Sequence, residues 1–507
     1  MVKWYHRGLW SLYSRFESWS ASQDFNAATA LEEFPNVTDQ SDSSPEPLSI
    51  AVAVLAAGHG TRMKSDTPKH IHPVGGVPIV KRIIRAAQHI NPDHIAVVVS
   101  PSMMDMPERL EMIGEFIPVQ MDVPTGTAHA VLEAIRALPE VDYIVSLLGD
   151  SPLLTGETVQ KLVDEAVASN ATVTVLTCEM DDAASYGRID RDLEGRPQAI
   201  IEAKNDDPAK RMGRTEINSG IMVLKRDWAL EAIPQLSLDE GVGEYILTDL
   251  VDVAVSEHAK GEVWPVHTVT GPFDVSVGIN TRIDQARADA VVRNQIREKH
   301  MLAGVSMIGA ETIFIDETVE IGQDTTLLPG TILMGDTSIG KGCTIGPHTV
   351  LIDTKVADNV TIRTSTIENS IVRSGADAGP YAHIRSGSDV GENVHIGNFV
   401  ELKNTTMATG SKSGHFSYLG DAHVGECANI GAGSITANYD GEKKNRTDIG
   451  EGAFIGCDSI LVAPITVGAE AVTGAGSVVT RDVAPGSTVV GIPARQIKSK
   501  RKSSEER

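Results

Sequence analysis

Residues 49–63 read SIAVAVLAAGHGTRM, a run of small apolar residues that ends in a glycine-rich turn. A continuous apolar run of this kind is typical of a strand that is buried on both faces of a parallel sheet. Similar apolar runs alternate with helical patterns further along, the runs at 94–99, 143–148 and 171–176 and the helical patterns at 79–90, 128–137 and 155–168. This alternation predicts βαβ units and a doubly wound, Rossmann-like α/β domain.

The glycine-rich turn after the first strand is the predicted ligand site of this domain, because ligands of doubly wound sheets lie outside the carboxyl ends of the strands. Gly58 and Gly60 let backbone N–H groups approach phosphate oxygens, and Arg62 and Lys69 add positive charge there. A glycine pair alone fits equally well a strand–helix turn that binds nothing. The whole string LAAGHGTRM, followed closely by PK, is far more restrictive.

From about residue 319 the pattern changes to apolar residues six apart, often followed by glycine. Two series keep this phase without a break, Ile449, Ile455, Leu461, Val467, Thr473 and Val479 in one and Val390, Ile396 and Leu402 in the other. A period of six predicts a parallel β-helix, in which each coil stacks its inward apolar residue on that of the last. A β-helix can also be a rigid scaffold without activity, so its function depends on particular side chains.

Composition argues against several classes of protein. At 507 residues the chain is longer than the ~250–300 residues at which single cores stop growing, so two or more domains are expected. The formal net charge of −24 disfavours nucleic-acid and anionic-membrane surfaces, which need basic patches. No run approaches the ~18–20 apolar residues that span a bilayer, and the four cysteines are far apart. We expect a cytoplasmic protein with no nucleic-acid or membrane partner.

The N-terminal string LAAGHGTRM with its following PK resembles the signature of the sugar-phosphate nucleotidyltransferases. Residues 148–153, LGDSPL, are similar to the turn in which that family's Asp binds magnesium, and residues 277–280, VGIN, resemble its second metal position. The resemblance implies Mg²⁺ held by Asp150 and Asn280, with Arg62 and Lys69 as catalytic cations. One carboxylate and one amide suit Mg²⁺, which takes its other oxygens from water and substrate phosphates.

The same resemblance implies a set of residues that bind nucleotide and sugar, with Gly126 and Thr127 beside the nucleotide and Gly187, Glu202 and Asn218 beside an acetylated sugar. The full set is Leu55, Ala56, Ala57, Gly58, Lys69, Gly126, Thr127, Gly149, Asp150, Gly187, Glu202, Asn218 and Asn280. Residues 121–127, MDVPTGT, depart from the glutamine-containing string of members that use UTP. The choice between UTP and dTTP therefore stays open at this point.

In the C-terminal half, residues 412–421, KSGHFSYLGD, and 429–441, NIGAGSITANYDG, closely resemble the acetyltransferase half of the bacterial bifunctional N-acetylglucosamine-1-phosphate uridyltransferases. With the N-terminal motifs, this resemblance covers about residues 50–495. It implies a left-handed parallel β-helix and a homotrimer in which acetyl-CoA lies between neighbouring β-helices.

By resemblance, His415 is the general base of the acetyl transfer and Glu401 a carboxylate that could orient it. An ammonium must lose a proton before it attacks a thioester, and imidazoles serve as bases near neutral pH. The resemblance places the sugar phosphate at Arg385, Lys403, Tyr418, Asn429 and Lys444. It places acetyl-CoA at Ala432, Asn438, Tyr439, Cys457 and Ala475, where Cys457 replaces a common Ser.

These resemblances predict a bifunctional enzyme. Acetyl-CoA acetylates glucosamine 1-phosphate, and UTP then converts the product to UDP-N-acetylglucosamine, a precursor of cell-wall polymers, with release of pyrophosphate. Two alternatives remain, a dTTP-using nucleotidyltransferase with an amino-sugar acetyltransferase domain and a non-catalytic trimeric scaffold. The expected segments are a flexible extension at 1–48, the nucleotidyltransferase domain at 49–280, a linker helix at 281–303, the acetyltransferase domain at 304–495 and a charged tail at 496–507.

Overall fold

The computed structural model describes residues 48–58, 60–104, 115–123, 125–181, 183, 186–203, 215–239, 243–258 and 262–499, all within one compact unit, Leu48–Arg507. The predicted extension lies outside the described residues except for Leu48, and so does the charged tail beyond residue 499. His59 in the glycine-rich turn and Pro124 in the departing string also lie outside them.

A mixed β-sheet forms the centre of the N-terminal domain. Its strands are β1 Ile50–Ala56, β4 His94–Val99, β5 Ile117–Gln120, β6 Tyr143–Leu148, β7 Val173–Met180, β10 Thr215–Lys225 and β11 Val266–Gly271, with a hairpin β2 Pro73–Val74 and β3 Val77–Pro78 beside the sheet and a hairpin β8 Arg188–Arg191 and β9 Pro197–Ile201 attached to β10. The order is β11-β7-β10-β6-β1-β4-β5. Strand β10 runs antiparallel to both of its neighbours, whereas the other pairs along this path are parallel. The predicted α/β class is therefore confirmed, with an antiparallel strand that the sequence patterns did not predict.

Helices cover both faces of this sheet. The side chains of β1 are apolar on both faces, and the helices bury them. Val52 and Val54 belong to one apolar cluster, and Ala51 and Ala53 belong to another on the opposite face. The described helices are α1 Ile79–Gln88, α2 Pro101–Met104, α3 Thr127–Ala137, α4 Gly156–Ser169, α5 Arg226–Ala232, α6 Asp249–Ser256 and α7 Arg282–Leu302, with short 3₁₀ turns at Thr61–Met63, Lys69–Ile71, Ile233–Gln235, Phe273–Ser276 and Ala310–Thr312. Helices α1 and α4 pack on the first face, and α3, α5 and α6 pack on the second.

Helix α7 joins the two halves where the sequence predicts a helix. Thr281 accepts a hydrogen bond from the Asp284 backbone N–H, and the Asp284 carboxylate accepts one from the Thr281 backbone N–H, which forms a capping box. Val292 and Ile296 on its buried face lie in the same apolar cluster as Ile313, in the first coil of the C-terminal domain. The helix is therefore packed on that coil.

The C-terminal domain is a stack of three-sided coils. One face consists of Ser306–Met307, Thr326–Leu327, Thr344–Ile345, Thr361–Ile362, Asp377–Ala378, Asn429–Ile430, Phe454–Ile455, Val472–Thr473 and Ser487–Val490, which pairs antiparallel with Arg495–Ser499. The second consists of Phe314–Ile315, Ile332–Met334, Val350–Ile352, Thr366–Glu368, His383–Arg385, Ile435–Ala437, Ile460–Val462 and Val478–Val479. The third consists of Glu320–Ile321, Ser338–Ile339, Lys355–Val356, Ile371–Val372, Asp389–Val390, Thr406–Met407, Ala422–Val424, Thr447–Ile449 and Ile465–Val467.

Parallel pairing stacks each coil on the next and lines up the buried residues. Thr326 pairs with Thr344, which pairs with Thr361, while Leu327, Ile345 and Ile362 form a fully buried column. Every residue of the two predicted six-residue series is buried, so the predicted β-helix is confirmed.

Two features interrupt the regular coils. The strands His395–Lys403 and Lys412–Gly420 are longer than the others and pair with strands of both the first and the second face. After Ala437 the chain leaves the coil in a loop, residues 438–446. Because of this insertion, the residue that stacks on Thr436 in the next coil is Leu461. Both features lie among the residues predicted to bind ligands.

Among the described helices, none combines the length and the apolarity that crossing a membrane requires.

Candidate active sites

The N-terminal candidate site lies where β1 and β6 end side by side. Leu55 pairs with Leu148, so the glycine-rich turn after β1 lies beside the turn at Gly149 and Asp150. The Gly149 N–H donates to the Leu55 carbonyl oxygen at 2.9 Å, and a Cβ on Gly149 would lie 2.6 Å from that oxygen. Only glycine allows this close approach.

Two cation–oxygen contacts bring four predicted residues together at this edge. The Lys69 Nζ lies 2.5 Å from the Asp150 carboxylate, and Arg62 donates to the Asn280 side-chain oxygen at 2.8 Å. The Ile279 N–H, next to Asn280, donates to the Asp150 backbone oxygen at 2.9 Å. The two predicted metal-ligating residues therefore lie on adjacent, directly bonded turns.

Gly60 packs the glycine-rich turn against Lys69. Its φ of +60° is in the left-handed region, and a Cβ would lie 2.6 Å from the Lys69 Cβ. Lys69 itself is buried, so its ammonium is held against Asp150 by the surrounding chain. The position of this catalytic candidate thus depends on the glycine that the sequence motif contains.

The donors at this edge fit a magnesium ion. Asp150 offers a carboxylate and Asn280 an amide oxygen, both hard ligands, and the Asp150 side chain keeps 20% of its surface exposed. Within the part of the chain that the structure describes, no group of three or more His, Cys, Asp or Glu could hold a metal. An ion bound by Asp150 and Asn280 would therefore take most of its ligands from phosphates and water.

The three residues predicted to bind the sugar also meet. Asn218 donates its N–H to the Gly187 carbonyl oxygen at 2.9 Å, and a Cβ on Gly187 would lie 3.4 Å from the Glu202 carboxylate. The Thr248 hydroxyl donates to that carboxylate at 3.3 Å. Thr248 was not identified in the sequence, since it immediately precedes α6 and belongs to no motif.

This sugar-side group lies next to the metal-side turn. A Cβ on Gly220, two residues after Asn218, would lie 2.8 Å from the side chain of Leu148, the residue before Gly149. The structure therefore places the two predicted groups around one edge of the sheet.

The Gly126–Thr127 turn is held by a distant segment. Tyr245 donates its N–H to the Thr125 carbonyl oxygen at 2.8 Å, and its own carbonyl oxygen accepts from the Ala128 N–H at 3.1 Å. The Leu247 N–H donates to the Thr127 hydroxyl oxygen at 3.1 Å. A Cβ on Gly126 would clash with the Tyr245 carbonyl oxygen, and no sequence motif indicates this contact.

The departing string before Gly126 is partly buried. Met121 is 4% exposed and packs in the apolar cluster under α3. The nearby Gln120 amide donates to the Asp122 carboxylate at 2.6 Å. Gln120 is therefore engaged with its neighbour in the chain.

The C-terminal candidate site lies on the two long strands. His415 is exposed and pairs across the strands with Asn398, while Glu401 pairs with Tyr418. The Glu401 carboxylate accepts a hydrogen bond from Arg385 at 2.8 Å. Among the described contacts Glu401 has no bond to His415, so the orienting role expected of it is not seen in the single chain.

Three predicted phosphate ligands gather beside this strand pair. Arg385 and Lys403 are opposite each other in the strand register, and Lys403 contacts Lys444 of the 438–446 loop. The hydrogen bond and the charge of Lys444 hold the pKa of Lys403 below its usual value. Like charges that lie this close favour an anion between them.

The 438–446 loop is organised around Asp440. Its carboxylate accepts from the Lys443 N–H at 2.8 Å, the Glu442 N–H at 2.9 Å and the Asn445 amide at 2.8 Å. These bonds to the ionised form, of which the Lys443 bond is the strongest, lower the pKa of Asp440 to about 2. The loop thereby holds Lys444 over the strands.

Asp421, the last residue of the 412–421 motif, fixes two side chains of the site. Its carboxylate accepts from the Asn404 amide at 2.7 Å and from the Asn438 amide at 2.5 Å. A cavity of about 300 Å³ opens here, with Lys444 and Arg446 in its wall. The bond to Asp421 thereby fixes the orientation of the Asn438 amide.

The residues predicted to bind acetyl-CoA form two groups. Ala432, Cys457 and Ala475 occupy the same corner of three successive coils, three residues after the paired strand residues Asn429, Phe454 and Val472. The Asp458 N–H bonds the Ala432 carbonyl oxygen at 2.7 Å, and the Gly476 N–H bonds that of Cys457 at 2.8 Å. Asn438 and Tyr439 belong instead to the loop, where Tyr439 is 62% exposed.

Comparison with known proteins gives the family. Residues 52–253 match a model described as the MobA-like NTP transferase domain, and residues 318–353 match the bacterial transferase hexapeptide of six repeats. A protein named Bifunctional protein GlmU from Geobacillus sp. is 40% identical over 445 residues, which is 88% of this chain and 95% of the relative. The chain belongs to the bifunctional GlmU family. Relatives of the same name from Trichlorobacter lovleyi and Heliobacterium modesticaldum are each 40% identical, over 87% and 88% of this chain and 95% and 96% of theirs.

Membership of the GlmU family confirms the predicted family, fold class and enzyme class. The chain is a bifunctional transferase for UDP-N-acetylglucosamine synthesis, and neither the dTTP-using alternative nor the non-catalytic scaffold is favoured. Its N-terminal half is that of a nucleotide-sugar enzyme that needs a divalent metal, and its substrates are small molecules. The hexapeptide repeats fit assembly into an oligomer.

Proposed function

We propose that Asp150, Asn280, Arg62 and Lys69 carry uridylyl transfer from UTP to N-acetylglucosamine 1-phosphate, and that His415 carries acetyl transfer to glucosamine 1-phosphate. The observation that most strongly supports the first assignment is the pair of contacts Lys69–Asp150 and Arg62–Asn280 at the carboxyl edge of the sheet. It puts two cations and two magnesium-type oxygen ligands within reach of one phosphate chain.

In the uridylyl transfer, a phosphate oxygen of the sugar 1-phosphate attacks the α-phosphorus of UTP, and the bond from that phosphorus to pyrophosphate breaks. Mg²⁺ held by Asp150 and Asn280 would neutralise phosphate charge. Arg62 and Lys69 stabilise the negative charge that develops on the leaving pyrophosphate. Gly187, Glu202 and Asn218 orient the sugar, and the turn at Gly126 and Thr127 supports the nucleotide.

In the acetyl transfer, the substrate amine attacks the thioester carbonyl of acetyl-CoA, and the carbon–sulfur bond breaks to release the CoA thiol. His415 accepts the proton that the amine must lose. Arg385, Lys403 and Lys444 bind the phosphate, while Tyr418 and Asn429 face the sugar. Ala432, Cys457 and Ala475 form a coil corner along which acetyl-CoA can lie, with Asn438 and Tyr439 of the loop as its further contacts.

We propose that this second site is completed in a homotrimer. His415 is exposed in the single chain, and the aromatic residues Tyr381, Phe399 and Phe416 beside it are 57%, 62% and 56% exposed. Tyr381 and Phe399 stack with their ring centres 5.3 Å apart. Packing against a neighbouring β-helix would bury these rings and enclose His415.

The proposed functional domains keep the boundaries read from the sequence, 49–280 for the nucleotidyltransferase, 281–303 for the linker helix and 304–495 for the acetyltransferase. We also propose that the enzyme works in the cytoplasm. Cys178, Cys343, Cys427 and Cys457 are all free thiols, as expected of a reducing compartment.

Two variants test the assignment, and each is the control for the other. Asp150→Ala removes a metal ligand, so uridylyl transfer should be abolished while acetyl transfer stays within about twofold. His415→Ala removes the base, which typically contributes ~10²–10⁴-fold, so acetyl transfer should fall by that order while uridylyl transfer is unchanged. Coupled assays of pyrophosphate and free CoA thiol measure the two reactions separately. Equal loss of both activities in either variant would contradict the two-site assignment.

A further inference from the structure

An arginine of α1 connects the turn of Asp150 to the β-helix. Arg82 donates from its Nε to the carbonyl oxygen of Pro152, two residues after Asp150, at 3.0 Å. Its NH1 group makes an ion pair with Glu317, in the first coil. The Arg82 side chain is only 15% exposed, so both contacts are partly shielded from water.

Glu317 holds the N-terminal domain through both its side chain and its backbone. Its carboxylate also accepts from Arg85 at 3.0 Å, and its N–H donates to the Gly75 carbonyl oxygen at 2.8 Å. A Cβ on Gly76 would clash with the Asp316 side chain, so the hairpin at 73–78 lies directly on the first coil. The position of Glu317 relative to α1 is therefore closely fixed.

Helix α7 supports the same contact from the other side. Arg293 bonds Asp289 at 2.8 Å and Asp316 at 3.2 Å, and Asp289 accepts the Gly75 N–H at 2.8 Å. Asp316 in turn accepts the Gly335 N–H at 3.2 Å. Ion pairs and backbone hydrogen bonds thus hold the hairpin between α7 and the first coil.

Apolar packing reaches the same turn. Leu153, three residues after Asp150, is 8% exposed and belongs to the apolar cluster that continues through Val292 and Ile313 into the β-helix core. The turn of Asp150 is thus packed on the apolar cluster of the β-helix and bonded through Arg82 to its first coil.

The planar guanidinium allows Arg82 to bond Glu317 and Pro152 at the same time. Because the guanidinium is planar, the directions of its Nε and NH1 groups are fixed relative to each other, so the direction of the Glu317 pair constrains the direction of the bond to Pro152. A lysine could keep the charge but could not make both bonds in this geometry. The backbone direction at Pro152 in turn affects where the Asp150 carboxylate lies.

We propose that Arg82, held by Glu317, is a positioning residue for the turn that carries Asp150, so that nucleotidyl transfer depends on the docked first coil of the β-helix. This inference rests on the proposed role of Asp150. Arg82 touches neither substrate nor metal, and it acts through the Pro152 carbonyl group.

The test replaces Arg82 by Lys and uses Arg85→Lys as the matched control, since Arg85 bonds the same carboxylate but not Pro152. Misplacing a catalytic group by about 1 Å can cost ~10²-fold, so Arg82→Lys should lower kcat of uridylyl transfer by about 10–100-fold with acetyl transfer unchanged. Amide hydrogen exchange of residues 149–154 should also become faster, measured without metal or substrate. Arg85→Lys should leave both properties near wild type.

Glu317→Gln gives a second, independent arm. It changes the β-helix side alone, and we expect faster exchange at residues 149–154 together with a smaller loss of kcat. Wild-type kcat and unchanged exchange in Arg82→Lys would overturn the inference, as would a loss equally large in Arg85→Lys. If Arg82→Lys does not fold, Glu317→Gln is the deciding variant. Faster amide exchange at residues 149–154 would then support the inference, and unchanged exchange would overturn it. A failure of the proposed function would be seen separately, as full uridylyl transfer by Asp150→Ala.

Discussion

Two lysines, Lys403 and Lys444, meet at the candidate phosphate site of the β-helix. Lys444 lowers the pKa of Lys403 by hydrogen bonding and by repulsion, while Asp421 partly offsets this effect. The cost of holding two ammonium groups together is recovered when a phosphate lies between them. The arrangement therefore favours binding of an anion over an empty site.

This pairing predicts that binding of glucosamine 1-phosphate is coupled to proton uptake. A bound dianion opposes the effect of Lys444 and raises the pKa of Lys403, so on the alkaline side of neutrality, where Lys403 loses its proton in the free enzyme, binding takes up protons and affinity should increase as the pH falls. Calorimetric titration in two buffers of different ionisation enthalpy measures the uptake. Lys444→Gln should reduce it, whereas Lys341→Gln, at an exposed position far along the β-helix, should not. Identical heats in both buffers for the wild type would contradict the coupling.

Among the secondary-structure elements, the turns position the functional residues. The turn at Gly126 has a φ of +116° and lies under the backbone of Tyr245, which bonds both Thr125 and Ala128. Helix α3 begins immediately after this turn, at Thr127. A segment that is distant in sequence thus sets where the helix starts and where its first N–H groups point.

Gly126→Ala should therefore damage uridylyl transfer more than backbone strain alone explains. The left-handed conformation costs an alanine of order 1–3 kcal/mol, and the added Cβ also pushes Tyr245 away. We expect KM for UTP to rise by tenfold or more. Gly195→Ala is the control, because Gly195 has a φ of +79° in the same domain but nothing within 4 Å of an added Cβ. Equal, small effects of the two changes would show that the contact with Tyr245 does not matter.

At the scale of the whole molecule, the single chain leaves an aromatic surface uncovered at its second site. Asn398 pairs with His415, and the next residues of the two strands are the exposed Phe399 and Phe416. This surface and the proposed base are therefore side by side. An oligomer that covers the aromatic rings would also enclose the acetyl-transfer site.

Phe399→Arg should consequently prevent assembly of the trimer without unfolding the chain. A charge in this surface cannot be buried without a partner, so the trimer should dissociate and acetyl transfer should fall by at least tenfold, while uridylyl transfer is kept. Sedimentation velocity gives the oligomeric state and the two coupled assays give the activities. Leu193→Arg, at a fully exposed leucine of the N-terminal domain, is the control and should change neither. A monomeric variant with full acetyl transfer would rule out a shared site.

Much of the fold follows from local patterns in the sequence. The apolar run of β1, the strands at 94–99 and 143–148 and the six-residue series of the β-helix were predicted within a few residues, because side-chain periodicity reflects local backbone geometry. The antiparallel strand β10 was not predicted, since strand direction depends on the connection and not on the strand's own residues. The candidate site residues came from motifs, and their roles remain proposals.

The sequence by itself determined the two architectures and the residue types of both sites, whereas only the tertiary structure decided which side chains meet. Arg62 and Asn280 are 218 positions apart, and Arg82 and Glu317 are 235 apart. Glu401 bonds Arg385 and not His415, and Tyr245 holds the turn at Gly126. Local propensity has no information about such pairs, because they form only when separately folded elements pack and bring distant parts of the chain within hydrogen-bond reach.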